Sequence, residues 1–193
     1  MQPSNDELMQ RVKDGDMSAF DIIVRRWEYR LFNLVYKMVG DPETTKDTCQ
    51  EVFLQVYRAA KRYKPLNQFD TWIYRIAVNC SINKLKKMER HRTFPLTMLF
   101  ERKDGKRQNL ADTLPDPEPR PDEVAQQNEV AEHVRKALSR LPYEQRVVII
   151  LRHYEGLKFQ QIASILNCPI GTVKSRMYYG LDQLRTMLRQ FYQ

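Results

Sequence analysis

At 193 residues the chain is long enough for one ordinary domain or two small ones. A hydrophobic content of 42% with 10% aromatic residues excludes global disorder, and a formal charge of +8 fits a polyanionic partner, although a basic surface alone gives the same total.

Apolar residues recur at three- and four-residue steps almost throughout, and alternating strand-like runs are absent, so the pattern predicts an all-α fold. A first helix is expected from about Asn5 to near Gly15. A longer one carries Phe20, Ile23, Trp27, Leu31, Leu34, Val35 and Met38 until "GDPE" stops it, and a third runs from about Glu43 to Arg62. The stretch "YKPLNQF" reads as a turn, after which Asp70 or Thr71 can cap a helix reaching about Arg92. From Thr93 the periodicity fades into charges and "LPDPEPRP", the composition of a flexible linker. Beyond it, "NEVAEHVRKALSRL", a segment opened by Pro142, "FQQIASIL" and "IGTVKSRMYYGLDQLRTML" give four more helices. The expected organisation is a helical domain over 1–92, a linker over 93–128 and a second helical domain over 129–193.

At 3.6 residues per turn the last helix places Val173, Met177, Leu181 and Leu184 on a core side. Thr172, Ser175, Arg176 and Tyr179 lie opposite, flanked by Lys174 and Tyr178. Asn167 and Pro169 supply the corner of a helix-turn-helix, so hydrogen-bond donors and aromatic edges sit where such a motif meets a major groove. A helical hairpin with a solvated polar face is the plainer alternative.

The stretch from "LPYEQRVV" through "GTVKSRMYYGLDQLR" resembles region four of the extracytoplasmic-function (ECF) group of bacterial sigma factors. The resemblance implies that Thr172, Lys174, Ser175, Arg176, Tyr178 and Tyr179 form the face toward the minus-thirty-five promoter element. It departs from the family at Tyr179, where a basic residue is common, and at Lys158, where Ser or Thr often caps the helix.

In "FDTWIYRIAVNCSINKLKKMERHR", Trp72, Arg75, Asn79, Asn83, Lys86 and Arg90 fall in a stripe roughly 80° wide, with apolar residues on both flanks. Aromatic, amide and cationic groups in one row can stack an unpaired base, bond its edge and hold the backbone; a solvated stripe with Trp72 in the core is the alternative. The basic run Lys84 to Arg92 reads either as a soluble helix end or, following this stripe, as its continuation along phosphates, which is the expectation here. The same segment resembles sigma region two, which implies capture and melting of the minus-ten element, with Leu66, Asn67 and Phe69 as the pocket for an extruded base.

In the third helix, Val52, Phe53, Val56, Ala59 and Ala60 form an apolar face, while Leu54 is stranded on the polar side among Asp47, Gln50, Glu51, Gln55 and Arg58. One exposed leucine means little by itself. The run "DTCQEVFLQVYRA" is similar to the sigma helix that grips the clamp of core RNA polymerase, and the resemblance implies polymerase contacts at Asp47, Gln50, Glu51, Leu54 and Gln55.

Cys49, Cys80 and Cys168 are too scattered for a disulfide framework, and His91, His133 and His153 lack metal-ligand spacing. No phosphate loop or nucleophile elbow is present, so no metal, cofactor or catalytic residue is expected. Nor does any stretch approach the roughly 20 apolar residues of a membrane span, and Met1–Gln10 lacks a signal-peptide core, which points to the cytoplasm without membrane insertion. The resemblance covers both ends of the chain. It implies an alternative sigma factor whose partners are core RNA polymerase, promoter DNA and an anti-sigma factor. The competing expectation is a helix-turn-helix regulator that is not a polymerase subunit.

Overall fold

The computed structural model describes residues 2–64, 68–93 and 121–189, with side chains described in 2–64, 68–89 and 130–189. Among the described residues every regular element is helical. The first group is α1 (Asn5–Lys13), α2 (Met17–Val39), α3 (Pro42–Ala59) and α4 (Phe69–Thr93), with a short 3-10 turn, Ala60–Arg62, after α3. The second is α5 (Pro121–Arg140), α6 (Tyr143–Ile149), α7 (Phe159–Leu166) and α8 (Ile170–Arg189), with a π turn, Ile150–Tyr154, after α6.

Side chains set the starts of the first three helices. Ser4 accepts from Glu7 N–H while Glu7 accepts from Ser4 N–H, Asp16 accepts from Ser18 and Ala19, and Asp41 accepts from Thr44 with Pro42 in the first turn. At the end of α2, Gly40 adopts φ 84°, a left-handed cap that glycine reaches without strain. The fourth helix starts one residue before its expected cap region: Phe69 is its first residue and Trp72 N–H bonds Gln68 C=O, so Asp70 and Thr71 lie inside the first turn.

Helix α2 is the spine of the first group. Ala19, Ile23, Trp27, Leu31, Leu34, Val35 and Met38 repeat at helical spacing along one buried stripe, against which α1, α3 and α4 pack. Trp27 meets the edges of Phe69 and Tyr74, each at 5.6 Å between ring centroids.

The second group closes over Val147–Leu151, all buried, with Ile162, Ile165 and Val173. The core stripe of α8 is Val173, Met177, Gly180 and Leu184, whereas Leu181, expected in the core, is 41% exposed. On the wheel, position 181 stands about 80° from 173 and position 180 only about 20°. A glycine has no side chain to bury, so apolar periodicity does not mark it as a core position. Its bare Cα lets α6 approach: a Cβ at position 180 would stand 2.8 Å from Ile149 Cδ1 and 3.2 Å from Gln145 Cβ.

Two observations bear on the boundary between the groups. The helical backbone of α5 begins at Pro121, inside the stretch assigned to the linker; the rest of that stretch, 94–120, lies outside the described residues. The two groups also pack on each other, α7 on α4, and α5, α6 and the π turn on α2. Arg146, 9% exposed, ties them at one point, donating to Ser139 C=O (2.7 Å) and Leu141 C=O (2.9 Å) of its own group and to Met38 C=O (2.5 Å) at the end of α2.

Candidate nucleic-acid and polymerase interfaces

The turn between α7 and α8 is set by Asn167, whose φ of 49° is the one positive value among the described non-glycine residues. Asparagine tolerates this conformation, and the reversal brings Asn167 N–H and Cys168 N–H onto Ala163 C=O. Pro169 then opens α8, its carbonyl accepting from Thr172 and Val173. At the start of α7, Lys158 offers no side-chain cap, but its own N–H bonds Gln161 Oε1 at 2.9 Å, which is half of a capping box.

With Val173 and Met177 inward, Lys174, Ser175, Tyr178 and Tyr179 are exposed on α8; the two tyrosines, 70% and 58% exposed, meet edge to face at 5.5 Å. Thr172 and Arg176 are half-buried. Arg176 turns back toward α4, contacts Cys168 Sγ at 3.9 Å, and lines a cleft of about 410 Å³ with Asn79, Asn83, Lys86, Tyr143 and Glu144. This residue therefore borders both faces of interest.

On α4 the stripe divides. Arg75, Asn79, Asn83 and Lys86 are exposed, while Trp72 is half-buried between Tyr63 (4.7 Å between ring centroids) and Phe69 (5.6 Å). Phe69 is 2% exposed. Expected to line the pocket for an extruded base, it instead forms the floor beneath Trp72, because the ring network of Trp27, Tyr63 and Trp72 claims its faces and edges. Leu66 and Asn67 lie outside the described residues. Tyr63 donates to Asp6 Oδ1 at 2.7 Å; burial first, then this bond, raises its hydroxyl pKa, so it stays a protonated strut.

On α3, Asp47, Gln50, Glu51 and Leu54 are exposed, Leu54 by 48%, and Gln55 is half-buried with its amide on Glu51 Oε1 at 3.0 Å. Asp47 pairs with Lys84 of α4 at 3.6 Å. Three positions on from Leu54, Tyr57 is 45% exposed and packs on Phe20 of α2 at 5.4 Å.

Burial pushes the Cys49 and Cys80 thiols up to about 11, which keeps them protonated and poor ligands. Among the described residues no group of three His, Cys, Asp or Glu side chains is placed to hold a metal, and no helix is long and apolar enough to cross a membrane.

Sequence reasoning missed one constellation. Glu155, at the end of the π turn, accepts from Arg30 Nε at 3.0 Å and from the Tyr74 hydroxyl, both on the other helical group. Arg75 Nη2 reaches Ser164 C=O (2.8 Å) and Oγ (3.1 Å) on α7. These pairs are 81 to 125 positions apart, beyond any helical wheel.

Comparison with known proteins accounts for both groups of helices. The family descriptions "Sigma-70 region 2" and "Sigma-70, region 4" match residues 23–91 and 131–184. The RNA polymerase sigma-H factor of Pseudomonas aeruginosa is 32% identical over 97% of this chain and 95% of its own length. The ECF RNA polymerase sigma factor SigW of Bacillus subtilis is 31% identical over 94% of this chain and 95% of its own. The fold is shared with a Bartonella quintana sigma factor RpoE, solved in complex with the anti-sigma factor NepR, at a TM-score of 0.63 and 18% identity over 88% of this chain and 96% of that one. A match to region 2 as well as to the helix-turn-helix region supports a sigma factor over a free-standing regulator. The chain belongs to the sigma-70 family, in the extracytoplasmic-function group of RNA polymerase sigma factors.

Proposed function

We propose that this sigma factor divides promoter recognition between its two helical groups and holds core RNA polymerase through α3. The observation that carries the reading is the pair of polar faces built on one chain: the α4 row of Arg75, Asn79, Asn83 and Lys86, and the α8 face of Lys174, Ser175, Arg176, Tyr178 and Tyr179. The first row, with Trp72 at its head and Leu66 and Asn67 in the loop before it, suits an unpaired minus-ten strand, because amides bond base edges while cations hold phosphates. The second suits the major groove at minus thirty-five, with Thr172 beside it. On α3, Asp47, Gln50, Glu51, Leu54 and Gln55 form the polymerase-facing patch. The protein acts in the cytoplasm and supplies no catalytic group, RNA synthesis being the work of the polymerase. An anti-sigma factor, like the one bound to the Bartonella relative, is a further partner.

Adding the purified protein to core polymerase and mapping transcript starts tests the whole reading. Initiation at a shared pair of promoter elements is expected; no binding to core and no initiation sinks it. Within an active complex, Arg176→Ala is expected to cost about 1–3 kcal/mol of binding at the upstream element. Asn79→Ala spares that footprint and lowers permanganate reactivity of the opened strand, so identical defects from the two changes would refute the division.

A further inference from the structure

The outer face of α8 has fewer free hydrogen-bond donors than its sequence suggests. The Ser175 hydroxyl is given back to the helix, donating to Thr172 C=O at 3.0 Å. The Arg176 guanidinium is turned toward Cys168 and the cleft beside α4. Lys174 is left as the exposed cation of this stretch. The most exposed large side chains of α8 are instead two rings, Tyr178 and Tyr179, which meet edge to face at 5.5 Å.

The turn that carries these rings is held from beneath. Met177 before them and Gly180 after them both face inward, and Gly180 lies so close to α6 that a Cβ there would stand 2.8 Å from Ile149 Cδ1. A tyrosine ring has few torsions to order, and each of these two limits the swing of the other. Such a pair loses little freedom on binding, so its affinity can register a contact as small as a methyl group. In the major groove the C5-methyl of thymine is the apolar group among base edges that otherwise present hydrogen-bond donors and acceptors. A cationic side chain at the same place matches guanine O6 and N7; fixed rings match the methyl.

We propose that Tyr178 and Tyr179 act together as a thymine-methyl reader, so that the upstream element is recognised in part by apolar contact with the C5-methyl of an A·T pair. The proposal rests on the reading that the α8 face meets the minus-thirty-five element. The same side chains carry hydroxyls, which bond phosphates or polar base edges. The two modes differ in what abolishes them: a ring contact is lost with the thymine methyl and survives removal of the hydroxyls, and a hydroxyl contact does the reverse.

The first arm of the test uses the wild-type chain bound to core polymerase. It is titrated onto duplexes from the mapped promoters in which each thymine of the upstream element, one at a time, is replaced by deoxyuridine, which lacks only the methyl. Burying one methyl is worth about fourfold in affinity, so uracil at a position the rings touch should weaken binding by about that factor. In the second arm the phenylalanine pair (Tyr178→Phe with Tyr179→Phe) should keep this penalty, and the alanine pair (Tyr178→Ala with Tyr179→Ala) should lose it. Thermal melts verify folding, and the uracil series decides the matter with the wild type should the alanine pair unfold. Equal binding of every uracil duplex overturns the proposal, as does a penalty undiminished in the alanine pair or absent from the phenylalanine pair. A mapped upstream element without an A·T pair overturns it as well. No upstream footprint on any duplex sinks the minus-thirty-five reading and the proposal together, whereas a footprint indifferent to uracil sinks the proposal alone.

Discussion

Between α2 and α4 the core is aromatic: Trp27, Tyr63, Phe69, Trp72 and Tyr74 meet edge to face or tilted at 4.7–6.0 Å. Among α6, α7 and α8 it is aliphatic, built from Val147–Leu151, Ile162, Ile165 and Val173, while Tyr154, Tyr178 and Tyr179 are exposed. In the first group the rings that hold the fold are also the floor beneath the polar row of α4, so on the proposed reading stability and readout are joined. In the second, the polar face of α8 is a layer laid over a core that does not need it, so the two can be separated.

Phe69→Ala is the strongest challenge to this contrast. Removing a fully buried ring costs about 3–5 kcal/mol, measurable by denaturant unfolding, and should weaken single-strand binding in the same variant because Trp72 loses its support. Tyr179→Ala should change stability by less than about 0.5 kcal/mol, while the upstream footprint weakens. Should Phe69→Ala leave the minus-ten contact intact, or Tyr179→Ala unfold the C-terminal helices, the contrast fails.

Gly180→Ala asks how tightly the aliphatic core is closed. The new methyl would stand 2.8 Å from Ile149 Cδ1, so α8 must shift or Ile149 must leave its rotamer. Overpacking of this kind costs about 1–3 kcal/mol, against which alanine's better helix propensity returns up to about 1 kcal/mol. A net loss of about 1 kcal/mol is expected, and Ile149→Val should recover part of it by withdrawing the clashing methyl. A Gly180→Ala variant more stable than wild type would show the approach of α6 and α8 to be looser than it stands here.

What the sequence disclosed followed from periodicity. The stripe of α2, the inward Val173 and Met177, the outward Tyr178 and Tyr179 and the Asn167 corner all repeat at 3.6 residues or mark a turn. Its failures have physical reasons. Gly180 was invisible as a core residue because close approach, unlike burial, leaves no apolar side chain to count. A loop-end aromatic such as Phe69 suits a base pocket, yet the rings of Trp27, Tyr63 and Trp72 occupy its faces and edges. The backbone of α5 starts at Pro121, where a proline followed by two acidic residues is a helix-start signal set among the other prolines of this stretch. The Glu155 cluster joins residues far apart along the chain, and only the packing of the two groups reveals it.

The groups also differ in how their helices begin. Ser4, Asp16 and Asp41 cap α1, α2 and α3, whereas Pro142 and Lys158 give α6 and α7 no side-chain cap. Lys158→Ser would supply the missing acceptor opposite the existing Gln161 bond, completing a capping box. A gain of about 1 kcal/mol is expected in chemical denaturation. No gain would mean that water already serves the first turn of α7 as well as a hydroxyl does.

Asp16 gives the smallest effect and the most direct measure of a cap in the first group. Hydrogen bonds from Ser18, then from Arg11, draw its carboxyl down to about 2 from an ordinary value near 3.8. Because the folded-state value is the lower one, ionised Asp16 favours folding above its unfolded value, and that contribution is lost as pH falls through about 4 to about 2. A carboxyl titration followed by NMR should place Asp16 near 2, whereas a midpoint near 4 would show the cap to be unformed in solution. Asp16→Asn keeps a side-chain oxygen for Ser18 and Ala19 N–H but cannot titrate, so its stability should run flatter than wild type through the same window. If both proteins lose stability in parallel there, the acid sensitivity belongs to other carboxylates and the charge on this cap contributes nothing measurable.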